Sequence, residues 1–400
     1  MPSFGILKER KTPPDRRVVF SPSAIKKVMT LFPEASFKVE PSDIRVFSDQ
    51  AYKDQGIEVT TNLTECDVLL GVKEVPIDHL IPDKKYFFFS HTIKKQPYNR
   101  KLLQAILQKN IELYDHETIV NQNNNRLIGF GYYAGVVGAY NGLRAYGLRE
   151  NIFTISKANA LEDQKELVKT LKQINLPPVK IIVTGKGRVG QGIRELLTAV
   201  GIEEVTKQKF LNEDFDKPVF TQLDALDYNQ RKDKIQIDIQ DFFQFPEEYQ
   251  STFIQFAKVS DIYMAGHFYG DGAPFIFTRE DAKQPGFKLK VVADISCDVD
   301  GPVASTLRAS TIENPLYGYD PKTEKEVDFD NPKAITVMAV DNLPCELPAD
   351  ASEGFGEMFL EYVIPAFFNK DKDGILKRAR ITENGKLTER FAYLQDYVDE

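Results

Sequence analysis

The chain has 400 residues and a formal net charge of −8, with 42% hydrophobic and 28% charged residues. Single hydrophobic cores stop growing near roughly 250–300 residues, so this length predicts two domains. The acidic balance and the absence of any Lys/Arg block argue against a nucleic-acid-binding protein. The sequence shows neither an apolar run of membrane-spanning length nor a signal peptide, which predicts a cytoplasmic protein without a membrane partner.

The cysteines and histidines have no metal-binding spacing. The three cysteines are far apart, which excludes a disulfide framework and a CxxC site. The four histidines form no HxxxH or HExxH pattern, and we expect no metal. Two of them, His79 and His116, are expected to have no chemical role.

The first third of the chain alternates strand patterns with helix patterns. Residues 4–8 predict a short strand, and Ser21 followed by Pro22 predicts the start of a helix. Further strand candidates lie at residues 44–47, 66–73, 86–90 and 111–115. Alternation of this kind is typical of an α/β fold with a mainly parallel sheet.

A glycine-rich turn stands between a strand pattern at residues 179–183 and a helical apolar face that begins at Ile193. In a GxGxxG motif the first glycine permits the turn, the second lets the backbone approach a pyrophosphate, and the third allows close packing of helix on strand. The context predicts a dinucleotide site, with a purely structural glycine turn as the alternative. The cofactor-binding residues predicted here are Gly185, Gly187, Arg188, Val189 and Gly190.

The end of the next predicted strand bears on the choice between NADH and NADPH. An Asp or Glu about 20 residues beyond the glycines binds the adenosine ribose hydroxyls. Residues 205–209 instead end in Lys207 and Lys209, with no acid at the tip. A carboxylate would repel a 2′-phosphate whereas lysine pairs with it, so NADPH is favoured over NADH. Solvated surface lysines are the alternative interpretation.

Three basic residues in the first third are candidates for substrate chemistry. Arg17 precedes a helix start, where a guanidinium can bind a carboxylate through two hydrogen bonds. Lys73 and His91 each follow an apolar strand, at the end where α/β sheets bind ligands, and both residue types carry out acid–base catalysis. From spacing alone, a structural or surface role is the more common outcome for each.

Longer motifs place these residues in a known context. The segments at 8–9, 17–22 and 72–76, together with His91, resemble the first domain of the alanine dehydrogenase, transhydrogenase and saccharopine dehydrogenase superfamily. Those at 113–115, 126–135, 291–298 and 340–353 are similar to the saccharopine dehydrogenase (L-lysine-forming) and lysine–ketoglutarate reductase branch. The resemblance runs from Phe4 to about Tyr397.

The resemblance implies an oxidoreductase that forms or cleaves saccharopine by NAD(P)H-dependent reduction of the imine between L-lysine and 2-oxoglutarate. Lys73 and His91 would be the acid–base pair, and the neighbouring carboxylates Glu74 and Glu117 would hold them and adjust their pKa values. Substrate carboxylates would bind to Arg17 and Arg126. The residues expected on the cofactor side are His267, Asp298 and Asp341.

The implied fold has two Rossmann-like domains, each a mainly parallel sheet flanked by helices, with an active-site cleft between them. The substrate domain would comprise residues 1–128 and 343–400, and the dinucleotide-binding domain residues 129–342. The insert at 245–249 resembles the NADPH-dependent reductase, which agrees with the two lysines. Another amino-acid dehydrogenase, such as an alanine dehydrogenase, and a catalytically silent nucleotide-binding sensor are the alternatives, and the direction of reaction and oligomeric state stay open.

Overall fold

The computed structural model describes residues 2–235 and 238–400. The chain divides into two compact units, Met1–Phe130 with Pro348–Glu400, and Gly131–Leu347. In the part of the chain that is described, none of the helices combines the length and the apolar character needed to cross a membrane.

The first unit is built on a six-stranded sheet in which every pair is parallel, in the order β3-β2-β1-β4-β5-β6. Three helices connect its strands. The elements are β1 (Ser3–Ile6), α1 (Pro22–Leu31), β2 (Ser36–Val39), α2 (Asp49–Asp54), β3 (Glu58–Val59), β4 (Val68–Leu70), β5 (Lys85–Phe88), α3 (Arg100–Gln108) and β6 (Glu112–Asp115).

The local signals for β5 and α1 are confirmed. The Ser21 hydroxyl accepts a hydrogen bond from the Ala24 N–H at 3.1 Å, and Pro22 occupies the first position of α1. In β5, Tyr86, Phe87 and Phe88 are fully buried, as expected for a strand covered on both faces.

The strand predicted at residues 44–47 is wrong, because this segment forms bends. The Arg45 guanidinium donates to the main-chain oxygens of Glu40 and Phe47 at 3.0 and 3.1 Å, and to the Asp49 carboxylate. A side chain therefore satisfies carbonyl groups that a strand would pair with its neighbour.

The second unit contains an eight-stranded sheet in the order β15-β14-β16-β13-β12-β7-β9-β8, parallel except at β14 and β15. Its elements are α4 (Gly131–Glu150), α5 (Gln164–Leu171), β7 (Lys180–Thr184), α6 (Arg188–Ala199), β8 (Glu203–Glu204), α7 (Lys207–Asn212), β9 (Val219–Leu223), α8 (Ala225–Tyr228), β10 (Asn229–Arg231), α9 (Ile239–Gln244), β11 (Tyr249–Ser251), α10 (Ile254–Ala257), β12 (Ile262–Ala265), α11 (Arg279–Lys283), β13 (Val291–Asp294), β14 (Leu316–Asp320), β15 (Lys325–Val327) and β16 (Ile335–Met338). The predicted α/β class with parallel sheets flanked by helices is confirmed.

The C-terminal segment completes the first unit. Its elements are α12 (Pro348–Tyr362), α13 (Ile364–Phe368), α14 (Ile375–Ala379), β17 (Thr382–Glu383), β18 (Lys386–Leu387) and α15 (Gln395–Asp399). The Ser352 hydroxyl of α12 accepts from the Val18 N–H at 3.0 Å. The Thr382 hydroxyl likewise accepts from the Leu113 N–H of β6 at 2.9 Å.

Helices α4 and α6 of the second unit contact each other backbone to backbone. A Cβ atom on Gly192 of α6 would lie 2.0 Å from the Tyr132 carbonyl oxygen of α4, and one on Gly135 of α4 would lie 2.0 Å from that of Val189. No side chain separates the two helices at these positions, so neither neighbour can yield by changing rotamer.

We therefore expect Gly192→Ala to lower the free energy of unfolding by about 3 kcal/mol, through overpacking against main chain. The measurement is urea unfolding followed by circular dichroism. The matched control is Gly187→Ala, whose Cβ would meet no atom of the described residues within 4 Å. Equal stability of the two variants would contradict this account of the helix contact.

Candidate active site and nucleotide site

The glycine turn lies at the carboxyl end of β7, as predicted, and α6 begins immediately after it. Gly185 has φ +92°, a backbone conformation that L side chains rarely adopt. A Cβ on Gly190 would lie 2.0 Å from the Gly185 carbonyl oxygen, whereas one on Gly187 would meet open space. The main chain at Gly187 is thus open to a ligand.

A cavity of about 720 Å³ opens beside this turn, within the second unit. Its walls are the turn itself (185–189), the segment after β9 that contains α8 (224–229), the aromatic residues 242–243 with Pro246, and the loop after β12 (266–274). Its size is in the range of small-molecule and cofactor sites.

His267 lies in the wall of this cavity and is 8% exposed. Its Nδ1 is 3.0 Å from the Thr184 hydroxyl, which is 2.9 Å from the Tyr263 hydroxyl. Among the described residues, no atom forms a hydrogen bond with its buried Nε2. Burial lowers the pKa of His267 to about 4, so the imidazole is neutral near pH 7.

The sequence pattern predicts that residues 205–209 end the strand beside the glycine turn. That interpretation is wrong, because a different strand lies there. Thr206 caps α7, which begins at Lys207, and the two-residue β8 pairs with β9. It is β9 that pairs with β7, and Asp224 follows its last residue. An acid therefore stands where the sequence interpretation found none.

The two lysines lie away from the glycine turn. The Lys207 ammonium is 2.5 Å from the Asp227 carboxylate and lines a different cleft, between β8 and β9. Lys209 is exposed on α7. The predicted preference for NADPH depended on these lysines lying at the ribose position, and they do not lie beside the glycine turn.

Asp298 and Asp341 are exposed and come after the ends of β13 and β16. Burial and the nearby carboxylates, which include both residues, raise the pKa of Cys297 to about 12. The described lining of the 720 Å³ cavity includes neither aspartate, and their predicted role at the cofactor stays a prediction.

In the first unit, a buried carboxylate fixes the main chain at Lys73, just beyond β4. Glu9 accepts hydrogen bonds from the N–H groups of Val72 and Lys73 at 2.7 and 2.9 Å. Burial raises the pKa of Glu9 to about 7, although these two hydrogen bonds act to lower it. The buried His116 ring donates to the Gly71 carbonyl oxygen at 2.8 Å. This hydrogen bond fixes the main chain two residues before Lys73.

A second buried carboxylate fixes the main chain at His91, just beyond β5. Asp115 accepts from the N–H groups of Ser90, His91 and Glu117 at 2.8, 3.1 and 2.7 Å. His91 takes the left-handed conformation with φ +53°. Burial lowers the pKa of the His91 imidazole. The negative charges of Glu117 and Glu74 act to raise it but do not cancel the effect of burial.

Arg126 and Glu74 belong to the same cluster of charges. The Arg126 guanidinium is 3.5 Å from the Glu117 carboxylate and lies over the Phe89 ring, 5.5 Å from its centroid. Burial would raise the pKa of Glu74, but its hydrogen bond to Lys11 at 2.8 Å leaves that pKa lowered. The structure thus brings the predicted residues His91, Glu74, Glu117 and Arg126 into one electrostatic group.

Arg17 is buried and paired with Asp15, a partner that the sequence interpretation did not assign. The guanidinium Nε and Nη2 donate to the two Asp15 oxygens at 3.0 and 2.6 Å, and the group lies 4.2 Å from the Phe130 ring centroid. Burial acts to raise the pKa of Asp15, but the charge and hydrogen bonds of Arg17 leave that pKa lowered. The charge of Lys73 makes a smaller contribution in the same direction as Arg17. The charges of Arg17 and Lys73 therefore both act on one buried carboxylate.

Comparison with known proteins finds relatives over most of the chain. Residues 5–137 match the family described as alanine dehydrogenase/PNT, N-terminal domain. The chain is 28% identical to the mitochondrial alpha-aminoadipic semialdehyde synthase of Rattus norvegicus, covering 98% of this chain and 48% of that protein. It is 24% identical to the saccharopine dehydrogenase [NAD(+), L-lysine-forming] of Yarrowia lipolytica, covering 88% and 89%.

Among solved structures, an L-alanine dehydrogenase superposes with a TM-score of 0.66 at 16% identity, covering 99% of both chains, which supports the fold. The fold is therefore similar to that of an alanine dehydrogenase, and residues 5–137 match the N-terminal domain of the alanine dehydrogenase/PNT family. Over most of its length the chain is similar to proteins of the saccharopine dehydrogenase (L-lysine-forming) and alpha-aminoadipic semialdehyde synthase type. It spans about half the length of the synthases that it matches.

Replacing the buried carboxylate beside His91 should destabilise the first unit. Asp115→Asn puts an amide NH2 among N–H donors and leaves buried donors unpaired, at a cost of about 3 kcal/mol. Urea unfolding measures this, with the exposed Asp78→Asn as control. Two variants of equal stability would show that the Asp115 hydrogen bonds are unimportant.

The neutral, buried His267 predicts a dependence of stability on pH. Its folded-state pKa of about 4 is below the ordinary 6.5, so the unfolded chain binds the proton first as pH falls. Stability is therefore lost between pH 6.5 and 4, by up to about 1.4 kcal/mol per pH unit. His267→Asn should show a shallower loss in unfolding experiments, while the exposed His79→Asn should keep the wild-type slope.

Proposed function

We propose that the chain catalyses the NAD(P)H-dependent reductive condensation of L-lysine with 2-oxoglutarate to saccharopine, or the reverse reaction. The observation that carries this proposal is the fixed placement of Lys73 and His91 just beyond neighbouring strands, each with its main chain bound by a buried carboxylate. Similarity to the alpha-aminoadipic semialdehyde synthase and saccharopine dehydrogenase relatives supports the same chemistry.

The reaction requires proton transfers that Lys73 and His91 are suited to perform. The lysine ε-amine must lose a proton before it attacks the 2-oxo carbon, and the resulting carbinolamine must gain one for water to leave. The lowered pKa of His91 makes its imidazole a base near neutral pH. Lys73 would supply the proton for the departing hydroxyl. A bound reduced nicotinamide would then supply hydride to the imine carbon.

The arginines would hold the carboxylates of 2-oxoglutarate. Arg126 is 40% exposed and paired with Glu117 at 3.5 Å, a distance that allows a substrate carboxylate to share the guanidinium. Arg17 already binds Asp15 through two nitrogens, so we assign it a supporting role that orients the Lys73 side of the group. Glu74 and Glu117 would balance the positive charge around the two protonic residues.

The finer choice of nucleotide depends on the ribose position. The comparisons support a nicotinamide dinucleotide, and the two lysines no longer provide an argument for NADPH.

The decisive assay follows nucleotide oxidation at 340 nm with lysine and 2-oxoglutarate, and with each substrate omitted. Lys73→Met should lower kcat at least 100-fold, since general acid–base groups contribute about 10²–10⁴-fold. Nucleotide affinity should change less than about threefold, because Lys73 lies outside the cavity beside the glycine turn. The exposed Lys53→Met is the matched control.

Turnover of Lys73→Met within about threefold of wild type would remove its catalytic role. Activity with pyruvate and ammonium in place of lysine and 2-oxoglutarate would favour an alanine dehydrogenase-like enzyme. Nucleotide binding without turnover on any pair of amine and 2-oxo acid would favour a silent sensor.

A further inference from the structure

We infer that a cleft of about 340 Å³ at one edge of the eight-stranded sheet binds a small anion that carries several negative charges. The cleft belongs entirely to the second unit, and none of its lining residues lines the cavity beside the glycine turn. Its volume is in the range of small-molecule sites. A ligand of this cleft would be additional to those of the proposed function.

The cleft lies at the edge of the sheet opposite the glycine turn. Lys288 and Lys290 precede β13, and Lys333 precedes β16, so these walls are at the amino ends of parallel strands. Another wall includes Lys322, which follows the antiparallel β14 and therefore lies at the same edge. The glycine turn follows β7, which is parallel to β12 and, through it, to β13. An anion in the cleft is thus separated from the glycine turn by the length of the strands.

The lining of the cleft is unusually basic for this chain. Of the fourteen residues described in the lining, six are basic and only Asp320 is acidic, although the whole chain has 51 basic and 59 acidic residues. The other seven are apolar. Concave walls of one sign of charge raise the local concentration of the opposite ion. The basic residues of the lining are Arg149, Lys283, Lys288, Lys290, Lys322 and Lys333.

Two of these lysines have no carboxylate partner. Lys322 and Lys333 are exposed and lie on separate loops, and neither forms an ion pair with any residue that the structure describes. Asp320 accepts from the Lys322 N–H and from the Thr323 hydroxyl, both at 2.9 Å. Both oxygens of the acid thus accept hydrogen bonds within the turn after β14, and the two ammonium groups are available to a ligand.

The most buried cation of the cleft is Arg149, whose side chain is 7% exposed. Its Nη1 donates to the Asn331 carbonyl oxygen and the Thr336 hydroxyl at 3.2 Å, which holds the guanidinium in place. Its Nε is 3.3 Å from the Glu150 carboxylate but forms no hydrogen bond with any described atom. Lys290 is 2.6 Å from the same carboxylate. One acid therefore faces two cations, and one positive charge is left uncompensated.

The remaining two lysines contribute less, because each already has a carboxylate partner outside the lining. Lys283 is 2.7 Å from the Glu280 carboxylate and 2.5 Å from that of Glu324. Lys288 is 3.4 Å from the Asp261 carboxylate. The excess positive charge of the cleft therefore comes from the two unpaired lysines and from the two cations that share one acid.

These groups favour a compact ligand whose negative charge is spread over several oxygens. The ammonium groups act as point charges, and the guanidinium is a fixed set of donors for phosphate or carboxylate oxygens. A monovalent anion would compensate only part of the charge. Phosphate chains and polycarboxylates both carry enough charge, and both fit this arrangement of cations.

Calorimetric titration of the full chain with tripolyphosphate, at low salt and in a phosphate-free buffer, tests for this site. Wild type should bind the anion saturably. Replacing both unpaired lysines, Lys322→Ala with Lys333→Ala, should weaken binding at least about tenfold, because two attracting charges are lost. Lys322→Arg with Lys333→Arg keeps the charge and should stay within about threefold of wild type.

The matched control is Lys165→Ala with Lys169→Ala on α5, which removes the same charge from two exposed lysines outside the cleft. It should change the affinity by less than about twofold, because salt screens distant surface charges. A second titration uses citrate. Tighter binding of tripolyphosphate would assign the cleft to phosphate chains, and tighter binding of citrate would assign it to polycarboxylates.

Equal weakening by the alanine pair and by its control would overturn the site, since it would reflect the overall charge of the chain alone. Absence of saturable binding for both anions would do the same. Loss of tripolyphosphate binding in saturating NADH would place the anion at the glycine turn and would also refute the site. None of these measurements uses lysine turnover, so a failure of the proposed function would leave this site standing.

Discussion

Buried carboxylates that bind main-chain N–H groups organise the loops after β4 and β5, in which the candidate residues Lys73 and His91 lie. Glu9 binds the loop after β4 and Asp115 the loop after β5. In the second unit Asp294 has a similar place, since it accepts from the Cys297 N–H and from two hydroxyls after β13. Each would be costly in an apolar interior if it were unpaired, and the hydrogen bonds offset that cost.

This arrangement separates the groups that fix geometry from the residues proposed to transfer protons. Asp115 has no exposed surface and accepts hydrogen bonds from three main-chain N–H groups and the Ser90 hydroxyl, whereas His91 beside it is half-buried. His116, for which no chemical role was predicted, holds the carbonyl group two residues before Lys73. The orientation of the candidate acid–base pair thus depends on residues that need never touch a substrate.

The sequence predicted well what depends on neighbouring residues and poorly what depends on strand pairing. The cap of α1, the strand β7 and the turn before α6 have local signals, and all were identified. The order β7-β9-β8 has no local signal, because β8 is only two residues long, and so Asp224 was overlooked. Glu9 lies 63 residues from its partner Val72, and Asp115 25 residues from Ser90. Hydrogen bonds of buried carboxylates to residues so distant in sequence have no local signal, and only the folded structure shows them.

The short strand β8 also bears on how the chain behaves in concentrated solution. An outer strand of a sheet exposes a row of unsatisfied N–H and C=O groups that can template pairing with another molecule. Here that row is only Glu203 and Glu204, both exposed, and Glu203 forms an ion pair with Lys217. Two adjacent carboxylates on so brief an edge disfavour the approach of a second sheet, so this side of the eight-stranded sheet is protected against aggregation by its own sequence.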